Sequence, residues 1–294
     1  MTPTEIQRVI ALFQRHLEKQ KKNPNTVRSY TNDLQQFFKW CLSTNGEEFT
    51  LQELTRSDIV DFRSFLLTRK SSLASVNRRI TALRQFFEFA IEASYARQNP
   101  VTGVMGLPNE PQVPSVLTRK DALLLVRTAE QAAWPMESSV LLLLLQAGLR
   151  SGEICGLTVG DLHMTPRVGR IFIKGLRKKT MRFVFLSMRA QAALRQYVRK
   201  RGVSILARKR RSEALFVHRN GSPLTQQSID LLVKRIGRDA GIPAVTPTML
   251  RNTYAVQLLL QGEPVDAVKR ALGVTSVKSY QRLVEKIQSD AIPF

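Results

Sequence analysis

The chain has 294 residues, carries 45 Lys and Arg against 23 Asp and Glu, and has a formal charge of +22. Its length fits about two domains, and a hydrophobic content of 43% argues against global disorder. The composition excludes a membrane span, because the strongest apolar run (140–145) falls far short of the ~18–20 residues required. It also excludes a Cys-based disulfide framework or zinc site, since only Cys41 and Cys155 are present, and a reduced cytoplasmic setting is expected.

In chain order, the first third reads as four helices. Ile6, Val9, Ile10, Phe13 and Leu17 recur at helical spacing. Asn23-Pro24 starts a second helix with Val27, Tyr30, Leu34, Phe37, Phe38 and Cys41 inward, and Asn45-Gly46 stops it. Ser57 is the expected cap of a third helix, burying Ile59, Phe62, Phe65 and Leu66. Val76, Ile80, Leu83, Phe86, Phe87 and Ala90 make the fourth, with Asn99-Pro100 as its expected end. This gives a helical domain over residues 1–104. Residues 105–116, with Pro108, Pro111 and Pro114, read as a stiff linker to a second domain at 117–294.

The second domain opens with Thr118 and Asp121 in a capping pattern. Residues 136–146 form a nearly all-apolar helix, expected at the centre of the core and ended by Gly148. Residues 168–173 and 181–186 read as two strands, followed by a helix at 190–200. Four further helical stretches are expected near 225–239, 247–260, 264–272 and 276–289. In the last, Val277, Tyr280, Leu283, Val284 and Ile287 lie on one side, as intramolecular core or as a contact with a second protomer. The fold class is therefore α+β: a four-helix domain, then a mostly helical domain with a small antiparallel sheet.

Charge is distributed unevenly. Between Thr165 and Ser212 stand 16 Lys or Arg and no acid, a pattern expected to self-repel unless a polyanion lies against it. A basic amphipathic face with aromatic anchors is missing, which places membrane lipid behind nucleic acid as the partner.

Three segments carry a resemblance. AGLRSGEICGLTVGDL (147–162), IKGLRKKTMRFVFL (173–186) and TPTMLRNTYAVQLL (246–259) resemble, in order, two active-site boxes and the intervening β-hairpin of the tyrosine recombinases, the phage-integrase and Xer-like family. The first third, including TVRSYTNDLQQFFKW (26–40), resembles that family's SAM-like core-binding domain. The resemblance implies DNA transesterification through a 3′-phosphotyrosyl link, without metal or nucleotide cofactor. It implies Arg150 and Arg251 as clamps on the non-bridging phosphate oxygens, where negative charge grows, and the guanidinium fork suits that task. Lys174 matches the turn lysine that protonates the leaving oxygen. Glu153 would orient Arg150 or brace its helix.

The chain departs from the family pattern at four places. Thr248 stands where the second box has His, and a hydroxyl does not titrate near neutral pH as imidazole does. Val274 replaces the His of the Leu-Gly-His box, and Asn252 follows Arg251 where His is common. The nucleophilic Tyr falls at Leu283. Tyr280 is three residues early, displaced by ~4.5 Å along a continuous helix and rotated by ~60°. The three histidines, His16, His163 and His218, fall in no matched catalytic position.

These features imply a duplex DNA-binding protein of recombinase fold that does not cleave. It would act as a site-targeting or regulatory module, for instance a target selector for a mobile element, in the nucleoid. The alternative is an active site-specific recombinase using Tyr280. Further partners would be copies of itself or recombination and transposition proteins, with no membrane. Candidate DNA contacts are Arg78, Arg79 and Arg84 on the fourth helix, Arg177, Lys178 and Lys179 in the hairpin turn, and Lys234, Arg235 and Arg238.

Overall fold

The computed structural model describes residues 1–45, 49–108, 113–175, 181–202 and 213–289. The chain divides into two compact units, residues 1–110 and 111–294.

The first unit holds Pro3–Lys19 (α1), Pro24–Asn45 (α2), Arg56–Thr68 (α3) and Leu73–Glu92 (α4). Its core is dense in phenylalanine: Phe13, Phe37, Phe38, Phe62, Phe86 and Phe87 are almost fully buried. Phe86 meets Phe13 and Phe38 edge-on, each at 5.5 Å between ring centroids. That is the arrangement aromatic quadrupoles prefer. The cap of α3 is Thr55, not Ser57, because Thr55 and Asp58 form a reciprocal capping box two residues upstream. α4 ends at Glu92, well before Asn99-Pro100; Ala93 caps it and Ser94 turns left-handed.

The segment expected to be a stiff linker begins as part of this unit. The Asn77 side chain donates to the Leu107 carbonyl at 2.8 Å and accepts from the Leu107 amide at 2.7 Å. Arg63 donates to the Met105 carbonyl and Arg84 to that of Val104. Val104 is buried. The far end is held in the second unit, where Asn252 donates to the Ser115 carbonyl and the Leu117 amide to Thr253 Oγ1.

The second unit contains Arg119–Glu130 (α5), Met136–Ala147 (α6), Ser151–Cys155 (α7), Leu162–Met164 (β1), Gly169–Ile173 (β2), Arg182–Phe185 (β3), Met188–Arg201 (α8), Gln226–Asp239 (α9), Pro247–Leu260 (α10), Val265–Leu272 (α11) and Lys278–Ser289 (α12). α6 is apolar all round and lies at the centre, with Val140 to Leu144 fully buried. β1, β2 and β3 form one antiparallel sheet in that order, pairing Ile171 with Leu162 and with Val184. β1 adds a strand to the two expected. The inner face of Leu162, Ile171, Ile173 and Val184 joins the core around α6.

Candidate functional site

Two helix ends build the site. α6 ends in Gly148 and α11 in Gly273, both left-handed at φ 61°. Glycine is required at both by backbone and space, since a Cβ would run into the Tyr254 ring at Gly148 and the Arg182 guanidinium at Gly273. A helix C-terminus leaves carbonyls without intrahelical partners and carries partial negative charge. Here those carbonyls accept from arginines. Arg251 donates to Gly148 and, at 2.6 Å, to Leu272. Arg182 donates to Ala271 at 2.9 Å, and Arg150 to Gly273 at 3.2 Å.

Glu153 ties the same three side chains together. It accepts from Arg150 Nη1 at 3.1 Å and from Arg182 Nη1 and Nη2 at 2.9 and 3.0 Å, and Arg251 lies 3.7 Å away. It also accepts from the Arg150 amide at 2.8 Å, capping α7. Burial opposes its charge, but the hydrogen bonds from Arg182 and Arg150 hold its carboxyl below the usual range. Arg251 is buried on α10, and burial with Arg150 nearby pushes it down to about 10, so it stays cationic at neutral pH. Three guanidiniums and one carboxylate leave two net positive charges. Arg150, with 46% of its side chain exposed, presents them to solvent. Chemically, such an arrangement, a buried layer orienting an exposed fork, is suited to holding an anion.

The structure thus brings Arg150 and Arg251 together. Lys174 is held on a different carboxylate. Its Nζ lies 2.9 Å from Asp161 Oδ1 and 3.0 Å from Oδ2, and Asp161 is fixed in turn by Thr158. Thr248 is exposed on the first turn of α10, three residues before Arg251. Val274 packs partly into the small core of Ala255, Val268, Leu272 and Val277. Leu283 is buried with Val256, Val284 and Ile287, so the apolar stripe of α12 is covered within the chain by α10. The Tyr280 hydroxyl donates to Asn252 Oδ1 at 3.1 Å.

Other expected contacts are placed variously. Arg78 and Arg79 both pair with the buried Asp33, Arg78 remaining exposed. Arg84 is partly buried and donates to the Val104 carbonyl at 2.9 Å. Arg235 pairs with Glu137 at 2.6 Å. Lys234 and Arg238 are exposed and have no ion pair among the described residues. Arg177, Lys178 and Lys179 lie outside the described residues. Sequence reasoning missed Arg182, Asp161 and the acceptor role of Asn252. All three lie inside the matched segments, but their partners are distant in sequence. Among the described residues, no group of three or more His, Cys, Asp or Glu could hold a metal ion, and no helix is long and apolar enough to cross a membrane.

Fold and site together define a two-part helical protein whose second part presents an arginine cluster at converging helix ends. A model of the phage integrase family matches residues 115–286, and a phage integrase N-terminal SAM-like domain model matches 10–94. The chain belongs to the phage integrase family. Relatives include the tyrosine recombinase XerD of Oceanobacillus iheyensis, 28% identical over 87% of this chain and 86% of that protein. The tyrosine recombinase XerC of Thermodesulfovibrio yellowstonii is 26% identical over 95% and 91%. Among solved structures, a XerH site-specific recombinase bound to palindromic difH substrate in a post-cleavage complex shares the fold. Its TM-score is 0.73 and its identity 20%, covering 99% of this chain and 96% of that one. A lambda integrase dimer bound to a COC′ core site has a TM-score of 0.70 at 15% identity, covering 95% and 94%.

Proposed function

We propose that this chain binds duplex DNA through the recombinase fold, grips its phosphates and does not cut it, serving as a site-targeting or regulatory module. The observation that carries this reading is Leu283. It stands nine residues beyond Val274, where the family resemblance puts the nucleophile, and its aliphatic side chain is buried against Val256. Thr248 and Val274 supply no imidazole at the two positions where the family has one. The Arg150–Arg182–Arg251 cluster needs none of these groups to hold a phosphate, because electrostatic capture uses fixed donors alone. The two expected domains, 1–104 and 117–294, would each offer the duplex a face. Arg78, Lys234 and Arg238, with residues 177–179, are the proposed phosphate contacts. A role as target selector for a mobile element fits a binder of this kind.

The second reading is an active recombinase with Tyr280 as nucleophile. One observation favours it: the Tyr280 hydroxyl donates at 3.1 Å to Asn252, the residue next to Arg251 on α10. A suicide substrate, analysed by denaturing gel, separates the two. Footprinted binding with no covalent adduct supports the first reading, whereas an adduct lost in Tyr280→Phe overturns it. Both readings require affinity to fall with salt at a log–log slope of about −0.9 per neutralised phosphate. A flat response would remove duplex DNA as the partner.

A further inference from the structure

The outer face of the sheet plays no part in the arginine cluster. β2 and β3 alternate, with Ile171, Ile173 and Val184 buried and Arg170, Phe172, Phe183 and Phe185 on the opposite side; His163 of β1 joins them. A solvated sheet face ordinarily carries polar residues. This one exposes 47% of Phe183 and 68% of Phe185.

The side chains form an ordered platform. Arg170 stands opposite both His163 and Phe185 in the register, and Phe172 stands opposite Phe183. The Phe172 and Phe183 rings are 5.0 Å apart, and the His163 ring meets Phe183 edge-on at 6.2 Å. The Arg170 guanidinium lies 4.7 Å from the Phe183 ring centroid. Exposed apolar surface of this kind marks an interaction site. Charge then selects the occupant, because β2 and β3 lie within the stretch of 16 cationic residues that contains no acid. The complementary ligand is a polyanion that also bears flat apolar faces. Bases in a duplex hide those faces in the stack, whereas bases in a single strand present them.

The geometry points to a second nucleic-acid site: the outer face of β1, β2 and β3 binds single-stranded nucleic acid, stacking unpaired bases on Phe183 and Phe185 while Arg170 holds the phosphate. This is independent of duplex binding at the arginine cluster. It is also distinct from sequence readout, since stacking accepts any base.

The test is fluorescence anisotropy of the full chain with a short oligo(dT), an abasic strand of equal length and a duplex, for the parent and for Phe183→Ala and Phe185→Ala. Phe185 is the more exposed, so its variant keeps the test valid if Phe183→Ala misfolds. The expected result is oligo(dT) bound more tightly than the abasic strand, with roughly a tenfold loss per ring removed and duplex affinity unchanged. Equal affinity for oligo(dT) and the abasic strand would overturn the proposal, as would no effect of Phe185→Ala. Self-association in sedimentation that Phe185→Ala abolishes would assign the face to a second copy of the chain. Tighter binding of an alternating Glu-Phe peptide than of oligo(dT) would assign it to a protein partner. Either result overturns the nucleic-acid site.

Discussion

The arginine cluster and the C-terminal helix lie against the same helix, α10, and are built in opposite ways. The cluster is saturated with interactions: Glu153 serves Arg150, Arg182 and Arg251, and four backbone carbonyls take further guanidinium hydrogens. The helix side is apolar, with Leu283, Val284 and Ile287 on Val256 and one phenol bonded to an amide. The contrast teaches that holding a phosphate and attacking it are separable demands. The first needs fixed positive charge, and the second needs a free hydroxyl in line.

Removing the shared carboxylate breaks the comparison most severely. Glu153→Gln leaves three cations confined together, and urea unfolding should show a loss of about 3–5 kcal/mol, the cost of breaking a buried pair. The same group predicts an acid response. Its folded pKa lies below the unfolded value of about 4.3, so its contribution is complete above that pH and is lost as pH falls through the lower folded value. The pH–stability curve of Glu153→Gln should be flatter in that window. On the helix side, Leu283→Ala should cost about 2–3 kcal/mol by thermal unfolding through the cavity it leaves, with duplex affinity at moderate temperature retained. Gly148→Ala should lose about 1–2 kcal/mol from the left-handed backbone alone, with more from the Tyr254 contact. Tyr280→Phe is the mildest change. Losing one hydrogen bond to Asn252 should cost about 1 kcal/mol and leave duplex affinity in anisotropy titrations unaltered.

Periodicity made the long helices legible. The apolar spacing of α1, α2 and α4 is also their burial pattern, and the all-apolar run of α6 marks the centre of its unit. Short elements were not legible. α7 has five residues and β1 three, too few for any period to register. Caps competed locally, and Thr55 prevailed over Ser57 because Asp58 sits at the reciprocating position. At the site, the family resemblance picked out Arg150 and Arg251 but not Arg182. Arg182 is one more cation in a basic hairpin until the fold brings it to Glu153, 29 positions away. The tie from Arg84 to the Val104 carbonyl was equally illegible, because the two residues meet only once the chain leaves α4 and folds back on it.

The paired left-handed caps at Gly148 and Gly273 have one more consequence. The carbonyls at these two helix ends accept from Arg150, Arg182 and Arg251, so the guanidiniums already have partners within the chain. On the proposed reading, a phosphodiester docking on Arg150 would meet a receptor already ordered, with little disorder left to lose on contact. Such a receptor gains affinity from stiffness, and it keeps that gain whether or not chemistry follows.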